Sequence, residues 1–176
     1  MHGLVFAALR AFSETKLAPD ALTRAWGDVA HDPTLAYDDG VFERQLTRVR
    51  EAVGTPPDAF ERELGAFTAQ TVFVDLFPGY YAENAGTVDF LLGLEEQIHE
   101  VVRATIPGAR PPHLHIQRLG RLGVLVSYTS DRGLCRLLEG LVLGTAAFYR
   151  EQVAIEEIQC MRLGDAACVF TVLQAD

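Results

Sequence analysis

The chain has 176 residues, 49% hydrophobic and 22% charged, which is the composition of one globular domain and not of a disordered chain. Its 24 acidic and 15 basic side chains give a formal net charge of −9 with no basic run, which argues against nucleic acid as a partner. No apolar stretch approaches the roughly 20 residues that span a bilayer, the N-terminus carries no signal-peptide pattern, and three cysteines are an odd number for a disulfide framework. The expectation is a cytoplasmic protein with no membrane partner. Its cysteines are then reduced thiols, metal ligands or core packing.

Residues 1–105 read as helices. Ala18-Pro19-Asp20 opens one that turns Leu22 and Trp26 inward, and Asp38-Asp39-Gly40 precedes another with Phe42, Leu46 and Val49 at helical spacing. Thr55-Pro56-Pro57-Asp58 offers Thr55 or Asp58 as a cap for a helix through Phe60, Leu64, Phe67 and Val72, ending near Phe77-Pro78-Gly79. After a turn at Asn84–Thr87, a long helix is predicted from Val88 to Thr105, stopped by Pro107-Gly108. The rest alternates. His113–Leu119 and Leu122–Thr129 read as strands around Gly120-Arg121, Gly133–Arg150 as a helix, and Ala154–Met161 with Ala167–Leu173 as a second hairpin. The predicted class is α+β, a helical N-terminal half followed by β-β-α-β-β with an antiparallel sheet, in one domain over residues 1–176.

Three groups of side chains carry chemistry. His99 lies on the predicted long helix with Leu92, Glu95 and Val102 on its side. A neutral imidazole held on a helix can ligate haem iron, and equally can be a surface or satisfied core residue. Glu95, Glu96 and Glu100 read as the solvated face of that helix. Tyr128, Ser130 and Arg132 alternate, so on a continuing strand all three would leave one face and offer two hydroxyls and a guanidinium to a pair of carboxylates; the alternative is a solvated strand end. Cys160 and Cys168 flank the last hairpin turn, Cys135 starts the preceding helix and Glu157 precedes Cys160 by three. Three thiolates and one carboxylate would close a tetrahedral zinc site; three buried reduced cysteines are the alternative. His2, His31, His113 and His115 show no ligand-like partners.

Taken together, His99 followed by Pro107-Gly108-Ala109-Arg110-Pro111-Pro112, the Tyr128-x-Ser130-x-Arg132 motif about 30 residues on, and the opening Met1-His2-Gly3-Leu4-Val5 resemble the haem-nitric oxide/oxygen binding family, which also supplies the sensor domain of soluble guanylate cyclase. The resemblance runs over essentially the whole chain. It implies haem b between the two halves, with His99 as iron ligand. Tyr128, Ser130 and Arg132 would hold the propionates, and Val5 and Pro112 would press on the macrocycle. It further implies a sensor with no catalytic activity. Nitric oxide would loosen the bond to His99, and the moving helix would be read by a separate partner such as a histidine kinase or a cyclic-dinucleotide enzyme. Oxygen-binding relatives carry a tyrosine nine residues past the motif tyrosine. Here that residue is Leu137, and the other expected distal residues, Val5, Leu9 and Ala69, have no side-chain donor. The expectation is therefore that nitric oxide and carbon monoxide bind and oxygen does not. The cysteine spacing resembles a zinc-bearing subgroup with three cysteines and a histidine, and Glu157 stands where that subgroup has histidine. It also resembles 4-vinyl-reductase-type domains, in which glutamate can be a ligand. That second resemblance supports an alternative function, a binding module for an organic effector or another tetrapyrrole.

Overall fold

The computed structural model describes residues 1–27 and 31–175. Helices α1 (Gly3–Lys16), α2 (Pro19–Trp26), α3 (Asp39–Val53) and α4 (Pro57–Thr68) form a helical half around Phe6, Phe42, Val49 and Phe60. Short helices α5 (Val74–Leu76) and α6 (Pro78–Glu83) lead to α7 (Thr87–Leu94) and α8 (Glu100–Thr105). Strands β1 (His113–Arg118) and β2 (Gly123–Thr129), helix α9 (Cys135–Tyr149), and strands β3 (Val153–Gln159) and β4 (Cys168–Gln174) complete the predicted β-β-α-β-β unit. The sheet is antiparallel throughout, in the order β1-β2-β4-β3.

Two predicted long helices are each interrupted by one π-helical turn, Ala69–Phe73 after α4 and Glu95–His99 between α7 and α8. The second is closed by the Glu100 N–H bonding to the Glu95 carbonyl, five residues back. Such turns gather at functional sites because they shift the side chains that follow around the axis. Just before and within the first, the Thr68 and Thr71 hydroxyls bond back to the Leu64 and Phe67 carbonyls, a competition that deforms regular helix. Neither Thr55 nor Asp58 caps α4; Pro56 holds the cap position, and Asp58 instead pairs with Arg162. Asp38 does cap α3, accepting from the Gly40 N–H at 2.9 Å.

The inner face of the sheet is read from its register. Leu114 and Ile116 of β1 lie beside Tyr128 and Val126 of β2, which lie beside Cys168 and Phe170 of β4. Helix α9 is clamped to α4 at backbone contact. A Cβ on Gly65 would overlap the Leu137 carbonyl oxygen, and one on Gly140 would overlap that of Arg62. Only glycine allows this approach, and it fixes where Leu137 and Leu141 stand.

Candidate functional site

A large cavity lies where α1, α4, α7, α8, α9 and strands β1 and β2 meet. Water centres can occupy about 240 Å³ of it, against roughly 10–15 Å³ for one buried water, so it is no packing defect. Its walls are mostly aliphatic and aromatic, and three polar features break them.

The first is His99, at the end of the π turn with its side chain 15% exposed. Its Nδ1 is 3.0 Å from Glu95 Oε2. The same oxygen accepts the Leu114 N–H at 3.1 Å, and Glu95 Oε1 takes the guanidinium of Arg103, which also donates to the Pro112 carbonyl at 3.3 Å. Burial holds the His99 pKa below its ordinary value, outweighing the pull of Glu95. Burial works the other way on Glu95, but the bonds from Arg103, Leu114 and His99 overcome it and keep the carboxyl below its usual range. The result is a carboxylate against a neutral imidazole with its proton on Nδ1, which leaves the Nε2 lone pair uncommitted. Glu95 is therefore no part of a solvated face, whereas Glu96 and Glu100 are exposed as expected.

The second feature is the Tyr128–Arg132 corner. Strand β2 ends at Thr129, so Ser130 and Arg132 do not continue the alternation. They converge through a turn, in which the Ser130 hydroxyl accepts the Arg132 N–H at 3.3 Å and Gly133 bonds to the Ser130 carbonyl. All three side chains still line the cavity. Tyr128 is buried, and its oxygen accepts the Leu134 N–H at 3.2 Å, satisfying one of the free donors at the start of α9. Burial pushes its phenol pKa up, with Ser130 and Leu134 pulling the other way. Arg132 spends Nε on Asp39 at 2.9 Å and Nη1 on the Arg110 carbonyl at 2.6 Å, so Nη2 is its uncommitted donor. Asp39, 93 residues away in sequence, is a contributor that no local pattern announces. Burial opposes its charge, and bonds from the N-terminal ammonium and Arg132 hold its pKa down.

The third feature is the set of hydroxyls on the remaining wall. Val5, Pro112 and Leu137 line the cavity. Leu9 and Ala69 do not: Leu9 packs fully buried in the helical half beside Phe6 and Phe12, and Ala69 is covered by α9 at Gly144. Sequence reasoning missed Thr68, Tyr80, Tyr81 and Thr145, which do line it. Every one of their hydroxyl protons is already given to a backbone carbonyl. Thr68 donates to Leu64 at 2.7 Å, Tyr80 to Phe90 at 2.5 Å, Tyr81 to Ala69 at 2.9 Å and Thr145 to Leu141 at 2.9 Å. The histidines left unassigned divide: His113 and His115 are exposed, but His2 is half-buried, caps α1 through Nδ1 and lines the cavity with Nε2 buried and unpartnered among the described residues.

A separate cluster lies between α9 and the last hairpin. One ligand atom each from Cys135, Glu157, Cys160 and Cys168 falls within 4.8 Å of all the others, and the Cys135 and Cys160 sulfurs are 4.0 Å apart. A β-bulge makes this possible. Glu157 pairs with Phe170 and Gln159 with Val169, so Ile158 is the extra residue. Without it, alternation would put Cys160 on the opposite face from Glu157; with it, Cys160 returns to the inner face beside Cys168. Glu157 Oε2 accepts from Arg136 Nη2 at 2.5 Å, while its Oε1 is buried with no partner among the described residues. Burial pushes the Cys135 and Cys168 thiols up in pKa. A zinc ion with Zn–S bonds of about 2.3 Å wants tetrahedral sulfurs about 3.8 Å apart, so the cluster lies within a small contraction of that geometry.

An uncommitted imidazole nitrogen and the Tyr128–Arg132 corner thus line one large apolar cavity, an arrangement able to hold a flat cofactor through a metal bond and a polar edge. Residues 2–157 match the family model described as haem-NO-binding, and the chain belongs to that family. Its fold is that of H-NOX proteins. It superposes on one from S. oneidensis in the Fe(II)NO ligation state with a TM-score of 0.91 at 18% identity, over all of both chains. An unliganded Fe(II) H-NOX variant from K. algicida gives 0.87 at 18%, over all of this chain and 97% of that one. A Cs H-NOX variant carrying 4-cyano-L-phenylalanine gives 0.87 at 22%, with the same coverage. Comparison with curated protein sequences gives no match.

Proposed function

We propose that residues 1–176 form one haem-based nitric oxide sensor domain without catalytic activity, which takes haem b on His99 and excludes oxygen. The residues fit the group: an apolar cavity far larger than a water site, a neutral imidazole with a free Nε2, and Tyr128, Ser130 and Arg132 as propionate donors. The observation that carries the reading is the His99–Glu95 pair on the wall of that cavity in a chain of the haem-NO-binding family. When bound, the haem supplies an iron with an open position for nitric oxide or carbon monoxide. His99 would hold it, the Arg132 Nη2 and the Ser130 and Tyr128 hydroxyls would orient its propionates, and Val5, Leu137 and Pro112 would keep water out. Stable oxygen binding needs a hydrogen-bond donor, and the four wall hydroxyls are committed to carbonyls. H-NOX proteins of the same fold are known in Fe(II)NO and Fe(II)CO ligation states, which supports these two gases as ligands. Signalling would pass from the His99 helix to a separate protein, a histidine kinase or a cyclic-dinucleotide enzyme, in the cytoplasm. No helix among the described residues is long and apolar enough to cross a membrane.

The absorption spectrum of the reduced protein is the test. A Soret band that shifts with nitric oxide and with carbon monoxide but not with air is expected. A stable oxy spectrum removes the oxygen exclusion, and a purified protein with no Soret band that takes an organic ligand favours the binding-module reading.

The same proposal includes one Zn²⁺ on Cys135, Cys160, Cys168 and Glu157. The orphaned Glu157 Oε1 supports the carboxylate as fourth ligand. The ion would take the thiols as thiolates, releasing protons that burial otherwise keeps on them. Elemental analysis of protein purified without added metal is expected to give one zinc per chain.

A further inference from the structure

Glu95 does more than accept a proton bond. Its side chain is 19% exposed and is engaged on every side. One oxygen faces His99 Nδ1 and the Leu114 N–H, and the other faces Arg103, with exposed His113 3.9 Å away. Those partners sit on three stretches of chain: the π turn, α8 and the start of β1. Arg103 passes the connection on to the Pro112 carbonyl, beside the proline that lines the cavity. A surface glutamate would be free to rotate, whereas this one is locked. A hydrogen bond to a carboxylate is about twice as strong as one to a neutral acceptor. It fixes the ring's tautomer and orientation and raises the basicity of the opposite nitrogen.

We propose that Glu95 is a positioning residue that sets the strength of the bond from His99 Nε2 to iron, and hence the threshold at which nitric oxide makes this sensor release its histidine. The inference rests on the reading of His99 as the haem ligand. The carboxylate strengthens the donor, and Arg103 tempers that effect by sharing the negative charge. Because the same oxygen holds Leu114, movement of His99 away from the iron also strains the tie between the helix and β1. Ligand release and sheet movement are thereby coupled through one side chain.

Glu95→Gln keeps the size and an acceptor oxygen and removes the charge. The expected result is a lower iron–histidine stretching frequency in the reduced protein, haem affinity reduced roughly 10–100-fold, and loss of the His99 bond at a smaller dose of nitric oxide. Glu95→Asp should fall between, and exposed Glu96→Gln should match the wild type. An unchanged stretching frequency and dose in folded Glu95→Gln overturns the proposal. If Glu95→Gln does not fold, His99→Gly supplied with imidazole or 1-methylimidazole decides, with Glu95 intact. Imidazole, which can give Glu95 a proton, should be held more tightly by roughly 10–100-fold, and equal retention overturns the proposal. A wild type without any iron–histidine band removes the haem reading itself, and this inference with it, before Glu95 is altered.

Discussion

The large cavity and the cysteine cluster share backbone but are built on opposite plans. Tyr128 of the cavity pairs in register with Cys168 of the cluster, and Leu134 of the cavity wall precedes Cys135. The cavity is large and mostly apolar, with its uncommitted polar atoms gathered at His2, at His99 and at the Tyr128–Arg132 corner. The cluster is small, with four ligand atoms within 4.8 Å and one carboxylate oxygen left unpaired. Under the proposed function, the first would admit a flat group and leave space beside it for a gas, and the second would close around a single ion in the manner of structural zinc sites. On the proposed reading, a function that requires movement would be set beside a staple that restrains α9 and the hairpin from moving with it.

The largest expected effect is at the cavity. His99→Gly should lose its Soret band on purification and regain it when imidazole is supplied; a variant that keeps the wild-type reduced spectrum without imidazole breaks the assignment. At the cluster, Cys168→Ser should drop zinc from one per chain to below about 0.2. It should destabilise the fold beyond the usual ~0.5–3 kcal/mol of a point substitution, while haem content stays close to that of the wild type. Loss of both groups together would mean that the two sites are not independent. Gly140→Ala tests what holds the cavity wall. The added Cβ has to displace the Arg62 carbonyl, which occupies the space it would need, so a loss of roughly 1–3 kcal/mol in a urea melt is expected.

Smaller effects sharpen the comparison. Tyr81→Phe leaves the Ala69 carbonyl without its donor at about 1 kcal/mol. Because that hydroxyl is committed to the backbone, the variant should show the same absence of an oxygen complex as the wild type. In the haem-free protein, burial holds the His99 pKa below its ordinary 6.5. The unfolded chain then takes up the proton more readily than the folded one, so stability should fall as pH drops below 6.5 and level off beneath the depressed value. His99→Gln should flatten that slope, as read by denaturant midpoints across the range.

Much of this was legible without coordinates. Helical and strand periodicities, with Pro19 and Asp38 at helix starts, set the α+β order because local spacing reports which face of an element is buried. His99, the Tyr128-Ser130-Arg132 motif and the three cysteines stood out because few other residue types can do their chemistry. The π turn before His99 was not legible, since it changes one hydrogen-bond step without altering the apolar pattern. Nor was the bulge at Ile158, which costs one residue of register yet decides whether Cys160 meets Glu157. Leu9 and Leu137 are the same residue type, and only packing sent one into the core and the other onto the cavity wall. The partners of Arg132 and Glu95 come from Asp39 and Leu114, distant in sequence. Sequence determined which groups were available; the tertiary structure decided which were paired, because burial makes each unpaired polar atom costly and only the folded chain chooses its partners.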